Sequence, residues 1–197
     1  MGFVAFLGCD GAGKSAVIDG VESELNSRGC AVLRGHWCPR LFSADSGGDR
    51  TTAADDPHGI EPRGPVSSVL KLAWLWLKWW SGWLAGLGSS ARKGWVIFDR
   101  YHADLLIDPR RYRYGGPAWL ARIAMAMMPQ PDRVLFLDAP VDVLLSRKQE
   151  VPADALASSR ERYLSLCRTH SRFVVIDASK PLKEVIEAAC REIDGFG

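Results

Sequence analysis

The residues best equipped for chemistry lie near the start of the chain. Gly8-Cys9-Asp10-Gly11-Ala12-Gly13-Lys14-Ser15 satisfies G-x-x-x-x-G-K-[ST] at every fixed position. Glycines at these places let backbone N–H groups turn inward around phosphate oxygens. A helix opening at Lys14 adds its positive dipole end. Lys14 then supplies a point charge for the β- and γ-phosphates, and the Ser15 hydroxyl a ligand for Mg2+. Gly8, Asp10, Gly11, Ala12, Gly13, Lys14, Ser15 and Ala16 therefore form the expected cradle for the phosphates of ATP. A guanine-reading Asn-Lys-x-Asp is absent from the sequence, which favours ATP and a small kinase over a GTPase.

Elements of a particular kind must carry that loop. Phe3 to Leu7, Ala31 to Leu33, Trp95 to Asp99, Val134 to Asp138 and Phe173 to Asp177 are short apolar runs that read as buried strands. Helical spacing fills Ser15–Leu25, Val66–Leu87, Pro117–Met128, Val141–Lys148, Ala153–Arg168 and Leu182–Ile193. Strands and helices that alternate along the chain predict an α/β fold, a parallel five-stranded sheet with helices on both faces, and the phosphate loop makes it of the P-loop nucleoside triphosphate hydrolase and kinase type. Ligands of such sheets bind beyond the carboxyl ends of the strands, where Asp99, Asp138 and Asp177 fall. A single domain over residues 1–197 is expected, with a Gly- and Pro-rich loop at 43–65 and a lid at 146–162.

Composition excludes several classes. The chain has 197 residues, of which 47% are hydrophobic and 24% charged, so a disordered chain is excluded. A net charge of +2 gives no basic grip for nucleic acid. Five cysteines without a CxxC pair argue against a disulfide framework or zinc site and for reduced thiols in a cytoplasmic protein. The N-terminus reads as a strand rather than a signal peptide. Phe6 stands where a myristoylation signal needs Ser or Thr.

Three segments together resemble the thymidylate kinase family. Phe6 to Ser15 is similar to its phosphate loop, Val96-Ile97-Phe98-Asp99-Arg100-Tyr101 to its Asp-Arg-[Tyr/Phe] motif, and Leu135 to Pro140 with Leu144 to Arg147 to its strand, turn and helix before the lid. The order and spacing hold over nearly the whole chain. The resemblance implies roles at the matching positions. Asp99 would hold Mg2+ through water or orient the acceptor, and Arg100 would clamp an anionic group of the acceptor. Asp10 would reach an acceptor sugar hydroxyl. Arg147 would lie against adenine, with the turn at Ala178 along its edge, and Arg160 would come from the lid onto the transferred phosphoryl. The family also implies a homodimer. Asp138 reads on its own as a helix-capping or structural carboxylate.

The acceptor half departs from that family. Gly35-His36-Trp37-Cys38-Pro39-Arg40 replaces the usual Arg-x-Pro-Gly-Gly, and no Ala-Tyr-Gln follows Asp99-Arg100-Tyr101. The amide that reads thymine is therefore missing. His36 falls where related deoxynucleoside kinases place a base for a hydroxyl acceptor, with Asp10 and Asp99 as rivals. The chain is also similar to thymidylate-kinase-like proteins associated with surface-polysaccharide synthesis. The leading expectation is thus an ATP-dependent kinase acting on a sugar or glycan hydroxyl, with the cluster Arg110-Arg111-Tyr112-Arg113-Tyr114 toward the acceptor. The alternatives are a thymidylate or other nucleoside monophosphate kinase, and a catalytically silent nucleotide-binding regulator.

One compositional anomaly needs a place. Trp74, Trp76, Trp79, Trp80 and Trp83 crowd into one helix, whose only charges are Lys71 and Lys78. That helix is open to three readings: core or subunit interface, a wall on which a sugar stacks, or a contact that holds a cytoplasmic protein peripherally to a membrane.

Overall fold

The structure is a computed structural model and describes residues 1–39, 64–109, 112–149 and 151–195. The chain divides into two compact units. The first comprises Met1–Trp37, Leu87–Tyr101 and Gln130–Gly197, and the second Cys38–Gly86 and His102–Pro129.

The first unit is built on a sheet. Its strands are β1 (Gly2–Gly8), β2 (Val32–His36), β3 (Trp95–Asp99), β4 (Arg133–Asp138) and β5 (Phe173–Asp177). They run in the order β2-β3-β1-β4-β5, and every pairing is parallel. The expected five-stranded α/β sheet is what forms, with each strand within a few residues of its sequence reading. All seven residues of β1 are buried, as its unbroken apolar run requires of a central strand. The helices of this unit are α1 (Lys14–Ser27), α3 (Gly88–Lys93), α6 (Val141–Arg147), α7 (Ala153–Thr169) and α8 (Leu182–Asp194). The long helices α1 and α8 pack on each other, and both rest on the sheet. A Cβ at Gly20 would stand 2.1 Å from Ile186 Cδ1, so glycine is what lets α1 approach α8 so closely.

The second unit is helical. It holds α2 (Pro65–Gly82), α4 (Ala103–Ile107) and α5 (Ala118–Ala126). Leu72, Leu105, Tyr114, Ala121 and Met125 make its core. Polar side chains tie the elements together. Gly115 N–H donates to Ser68 Oγ at 2.9 Å, Lys71 Nζ donates to Tyr112 O, and Trp80 Nε1 donates to Met127 O at 2.9 Å. The long helix expected over Val66–Leu87 is interrupted. Beyond Gly82 the helix is broken within Trp83–Leu87, where Gly86 takes φ 155°, a value that favours glycine. The five-residue α4 is too short to show a period and is not anticipated by the sequence reading.

Trp79 is fully buried, and its ring meets that of His102 edge-on at 6.4 Å. Burial pushes the His102 pKa down to about 3. An unfolded chain takes up a proton there near the ordinary value of about 6.5. Between these values the unfolded state binds more protons, so stability rises with pH and is lost as pH falls below about 6.5. The expected slope at its steepest is about 1.4 kcal/mol per pH unit. Urea unfolding followed between about pH 7 and pH 5.5 should show this loss, and His102→Gln should flatten the profile. An unchanged profile in the variant would assign the pH dependence to other groups.

Candidate functional site

The carboxyl edge of the sheet gathers most of the candidate residues within the first unit. Strand β1 ends at Gly8, beside Leu137 of β4, and Phe6 of β1 pairs with Asp99 of β3. His36 of β2 pairs in turn with Asp99. Registry alone therefore sets the phosphate loop, Asp99 and Asp138 along one edge, as ligand binding at such sheets demands.

The loop has the backbone of an anion cradle. Gly11 takes φ 85° and Gly13 takes φ 78°, both left-handed. A Cβ on Gly11 would lie 2.5 Å from the Leu144 carbonyl oxygen, so conformation and space both demand glycine there. Gly13 is the N-cap of α1, and Val17 N–H closes the first helical turn on Gly13 O at 3.1 Å. Lys14 is buried, and its Nζ donates to Gly8 O at 2.8 Å and Cys9 O at 3.1 Å, so the ammonium lies within the curl of the loop. The hydroxyl-bearing Ser15 is exposed at the helix start.

Two arginines are held against this loop and the neighbouring strand end by carboxylates. Arg100 Nη2 donates to Asp10 Oδ1 at 2.8 Å, with both side chains largely shielded from solvent. Arg100 itself takes φ 67°, while its N–H continues the sheet ladder to Phe6 O at 2.9 Å. A bulky residue held in this region costs of order 1 kcal/mol and persists only where its surroundings enforce it. Trp37 repeats the arrangement, with φ 54° and its N–H on Asp99 O at 2.9 Å. The second pair is Arg160 on α7, which binds Asp138 through two hydrogen bonds, Nε to Oδ1 at 2.6 Å and Nη2 to Oδ2 at 2.8 Å. Those bonds raise the Arg160 pKa further above its ordinary value, despite burial, and Cys9 of the phosphate loop adds to its field. Asp138 is thus more than a local cap: it holds a cation from α7 near the loop. That pairing was not read from the sequence, because nothing local links residues 138 and 160.

Arg147 ends α6, and its Nη1 donates to Ala178 O at 3.0 Å. The turn after β5 is fixed by Ser179, whose N–H and hydroxyl both donate to Asp177 Oδ1, at 3.0 and 2.5 Å. These bonds hold the Asp177 carboxyl below its ordinary pKa. Arg147 and Ala178, read as neighbours of the nucleotide base, are therefore neighbours of each other.

His36 is exposed. Arg40, the cluster members Arg110 and Arg111, and all of the 43–65 loop except Gly64 and Pro65 lie outside the described residues. In the segment read as a lid, α6 stops at Arg147 and α7 begins at Ala153, with Arg160 two turns inside it.

These residues fit the phosphates and the ion that the loop calls for. The glycine cradle, Lys14 and Ser15 match a nucleoside triphosphate. Asp99 Oδ1 is buried with no hydrogen-bond partner among the described residues. An unpaired buried carboxylate oxygen suits a hydrated Mg2+ nearby. No cluster of three or more His, Cys, Asp or Glu side chains able to hold a metal occurs among the described residues. Mg2+ needs none, since it is commonly held by one or two protein oxygens, phosphates and waters.

The thymidylate kinase family profile matches residues 87–189, slightly more than half of the chain. The chain belongs to the thymidylate kinase family. Members of this family are P-loop kinases that use ATP with Mg2+. The matched region takes in Asp99-Arg100-Tyr101, Asp138 and Arg160 and begins where the first unit resumes after Gly86. The chain is 36% identical over 109 residues to "Probable thymidylate kinase 1" of Saccharolobus solfataricus, covering 50% of this chain and 53% of that protein. In that alignment the chain spans about half the length of its relative. Longer alignments join it to proteins named thymidylate kinase in Methylococcus capsulatus and Chlamydia caviae. The first is 29% identical over 98% of this chain and 95% of the relative, and the second 24% over 92% of each.

Gly11→Ala should abolish tight ATP binding while leaving a folded protein, because the new Cβ meets the Leu144 backbone oxygen of α6 and the loop must shift to clear it. Titration with ATP·Mg2+ by calorimetry is the measurement, with a loss of affinity of about a hundredfold or more expected.

Proposed function

We propose that the protein is a nucleoside monophosphate kinase of thymidylate type, transferring the γ-phosphoryl group of ATP to the 5′-phosphate of its acceptor. The Arg100–Asp10 pair carries this reading. It fixes a guanidinium, on a left-handed residue, against the loop that would hold the donor phosphates. A positioned guanidinium is what an anionic acceptor needs, since Arg matches phosphate in bidentate geometry. The sugar or glycan acceptor that the sequence reading put first has no support in the family and its named relatives. The nucleoside monophosphate alternative has that support, and dTMP is the first acceptor to test.

In this reading the loop and Lys14 hold the donor phosphates, and Ser15 with Asp99 would hold Mg2+. Bound there, the ion would neutralise negative charge on the donor phosphates. Arg100 holds the acceptor phosphate, and one of its oxygens attacks the γ-phosphorus in line. The bond to the β,γ-bridging oxygen breaks, and ADP leaves. The attacking oxygen is already anionic, so no base is required and His36 has no proton to take. Arg160, held by Asp138, supplies positive charge toward the transferred group, and Arg147 with the Ala178 turn borders the adenine. Phosphoryl transfer is mostly positioning and charge neutralisation, which suits a site composed of fixed cations.

The decisive assay follows ADP formation from ATP and Mg2+ with dTMP, other nucleoside monophosphates and simple sugars. Turnover with dTMP or another monophosphate is expected. Turnover confined to a sugar hydroxyl would overturn the reading. Lys14→Ala should lower kcat by about a hundredfold or more with any acceptor. Arg100→Lys should raise the acceptor KM about tenfold or more with less effect on the ATP KM. His36→Ala should leave kcat within about twofold, because the acceptor needs no base.

A further inference from the structure

Helix α7 turns one row of side chains toward the sheet. Leu156, Arg160 and Tyr163 follow at intervals of four and three, so they share a face of the helix. Leu156 and Tyr163 are buried, and the Tyr163 ring stacks on Phe136 of β4 with centroids 4.7 Å apart. Phe136 and Asp138 are two residues apart and lie on the same face of that strand. The helix therefore meets the end of β4 twice, ring on ring and guanidinium on carboxylate. Arg160 stands between two apolar anchors as the charged member of its row.

The carboxylate side of this contact is rigid. Leu137 lies opposite Gly8 of the phosphate loop, Asp138 pairs with Asp177 of β5, and Ala178 N–H donates to Asp138 O at 2.6 Å. A group mounted on a strand so tied keeps its geometry better than one on a loop. Arg160 meets it side-on. Its Nε and Nη2 take the two carboxylate oxygens, so the end-on edge, Nη1 with the second hydrogen of Nη2, faces away from Asp138. Exposure is divided to match, with 31% of the Arg160 side chain open to solvent against 15% for Asp138. An end-on guanidinium edge fits two oxygens of a phosphoryl group. A lone arginine would lose side-chain freedom on gripping such a group, whereas this one has its plane fixed beforehand.

We propose that Asp138 is a positioning residue for phosphoryl transfer, holding Arg160 by one edge so that the other edge meets the transferred γ-phosphoryl group. Asp138 itself touches no substrate, and its role rests on the kinase reading of the site. The mark of such a role is dependence on Arg160. The full chain is compared with Asp138→Asn, Arg160→Ala and the double variant in two reactions of ATP with Mg2+, transfer to a nucleoside monophosphate and slow hydrolysis. In each the bond from the γ-phosphorus to the bridging oxygen breaks and ADP leaves. The phosphoryl group passes to an acceptor phosphate oxygen, or to water, which gives up a proton as inorganic phosphate forms. Arg160→Ala should lower kcat about a hundredfold and Asp138→Asn about tenfold, with the KM values for ATP and acceptor within about threefold. Added to Arg160→Ala, Asp138→Asn should change kcat by less than about twofold. Arg160→Lys keeps Asp138 and the charge but has no second edge, so its kcat should fall close to that of Arg160→Ala. Arg168→Gln, which removes an exposed ion pair with Glu161 from the same helix, should leave kcat within about twofold. Melting temperatures are read alongside. If Asp138→Asn does not fold, Arg160→Lys decides, and parental activity there would overturn the proposal. Equal losses from Asp138→Asn with and without Arg160 would also overturn it, as would an unchanged kcat. A raised kcat would do so too, since the pair would then be a contact that must open. A parent that hydrolyses ATP but phosphorylates no monophosphate refutes the acceptor assignment alone, and the role of Asp138 is then read on hydrolysis. A parent with neither reaction overturns both.

Discussion

Everything at the candidate site rests on the position of β1. This strand lies between β3 and β4, hydrogen-bonded on both sides and buried along its whole length. Its register with those neighbours puts Gly8, Asp99 and Asp138 at one edge without help from any side chain. A shift by one residue would turn every buried side chain of the strand to the opposite face and carry the phosphate loop out of line with the strand-end acids. The apolar run Gly2-Phe3-Val4-Ala5-Phe6-Leu7 is therefore as much a part of the phosphate site as Lys14.

On that edge, order comes from pairing cations with acids before any anion is met. Asp10 holds Arg100, and Asp138 holds Arg160. Flexible arginines left to solvent would lose side-chain entropy on gripping a phosphate; these have surrendered part of it already. Each pair also offsets the positive charge of its arginine. Left-handed backbone at Trp37 and Arg100 belongs to the same arrangement, since both residues leave a strand end while their N–H groups remain in the sheet ladder. Local strain is held here by the surrounding hydrogen bonds, as functional sites commonly hold it.

How far the sequence could be read depends on the range of each interaction. The strands were legible because a buried parallel strand is a continuous apolar run, and the phosphate loop because its glycines answer a local steric demand. The long Trp-rich helix was overextended. Its rings run on past Gly82, and only the backbone angle at Gly86 shows where the chain turns. Helix α4 has five residues and no room for a period. The pairing of Asp138 with Arg160 joins separate elements through a tertiary contact, to which no spacing rule applies. The acceptor was the least legible feature. The departures around His36 and after Tyr101 pointed toward a sugar, whereas family membership points toward a nucleotide. A missing motif says what is absent from a site and little about what replaces it.

The place of β1 in the sheet also governs the time at which the protein can become itself. Phe3 must wait for Val96, and Val4 for Arg133, before the central strand has neighbours on both sides. On a ribosome the phosphate loop is thus made well before the β3 and β4 strands that shape it. Until β3 and β4 emerge, a fully apolar strand and a glycine-rich turn remain without their sheet. Such non-local pairing slows folding and leaves the strand open to aggregation or to chaperones meanwhile. The same arrangement ties competence to completeness: a chain interrupted before β4 would carry every residue of the phosphate loop and lack the sheet that shapes it.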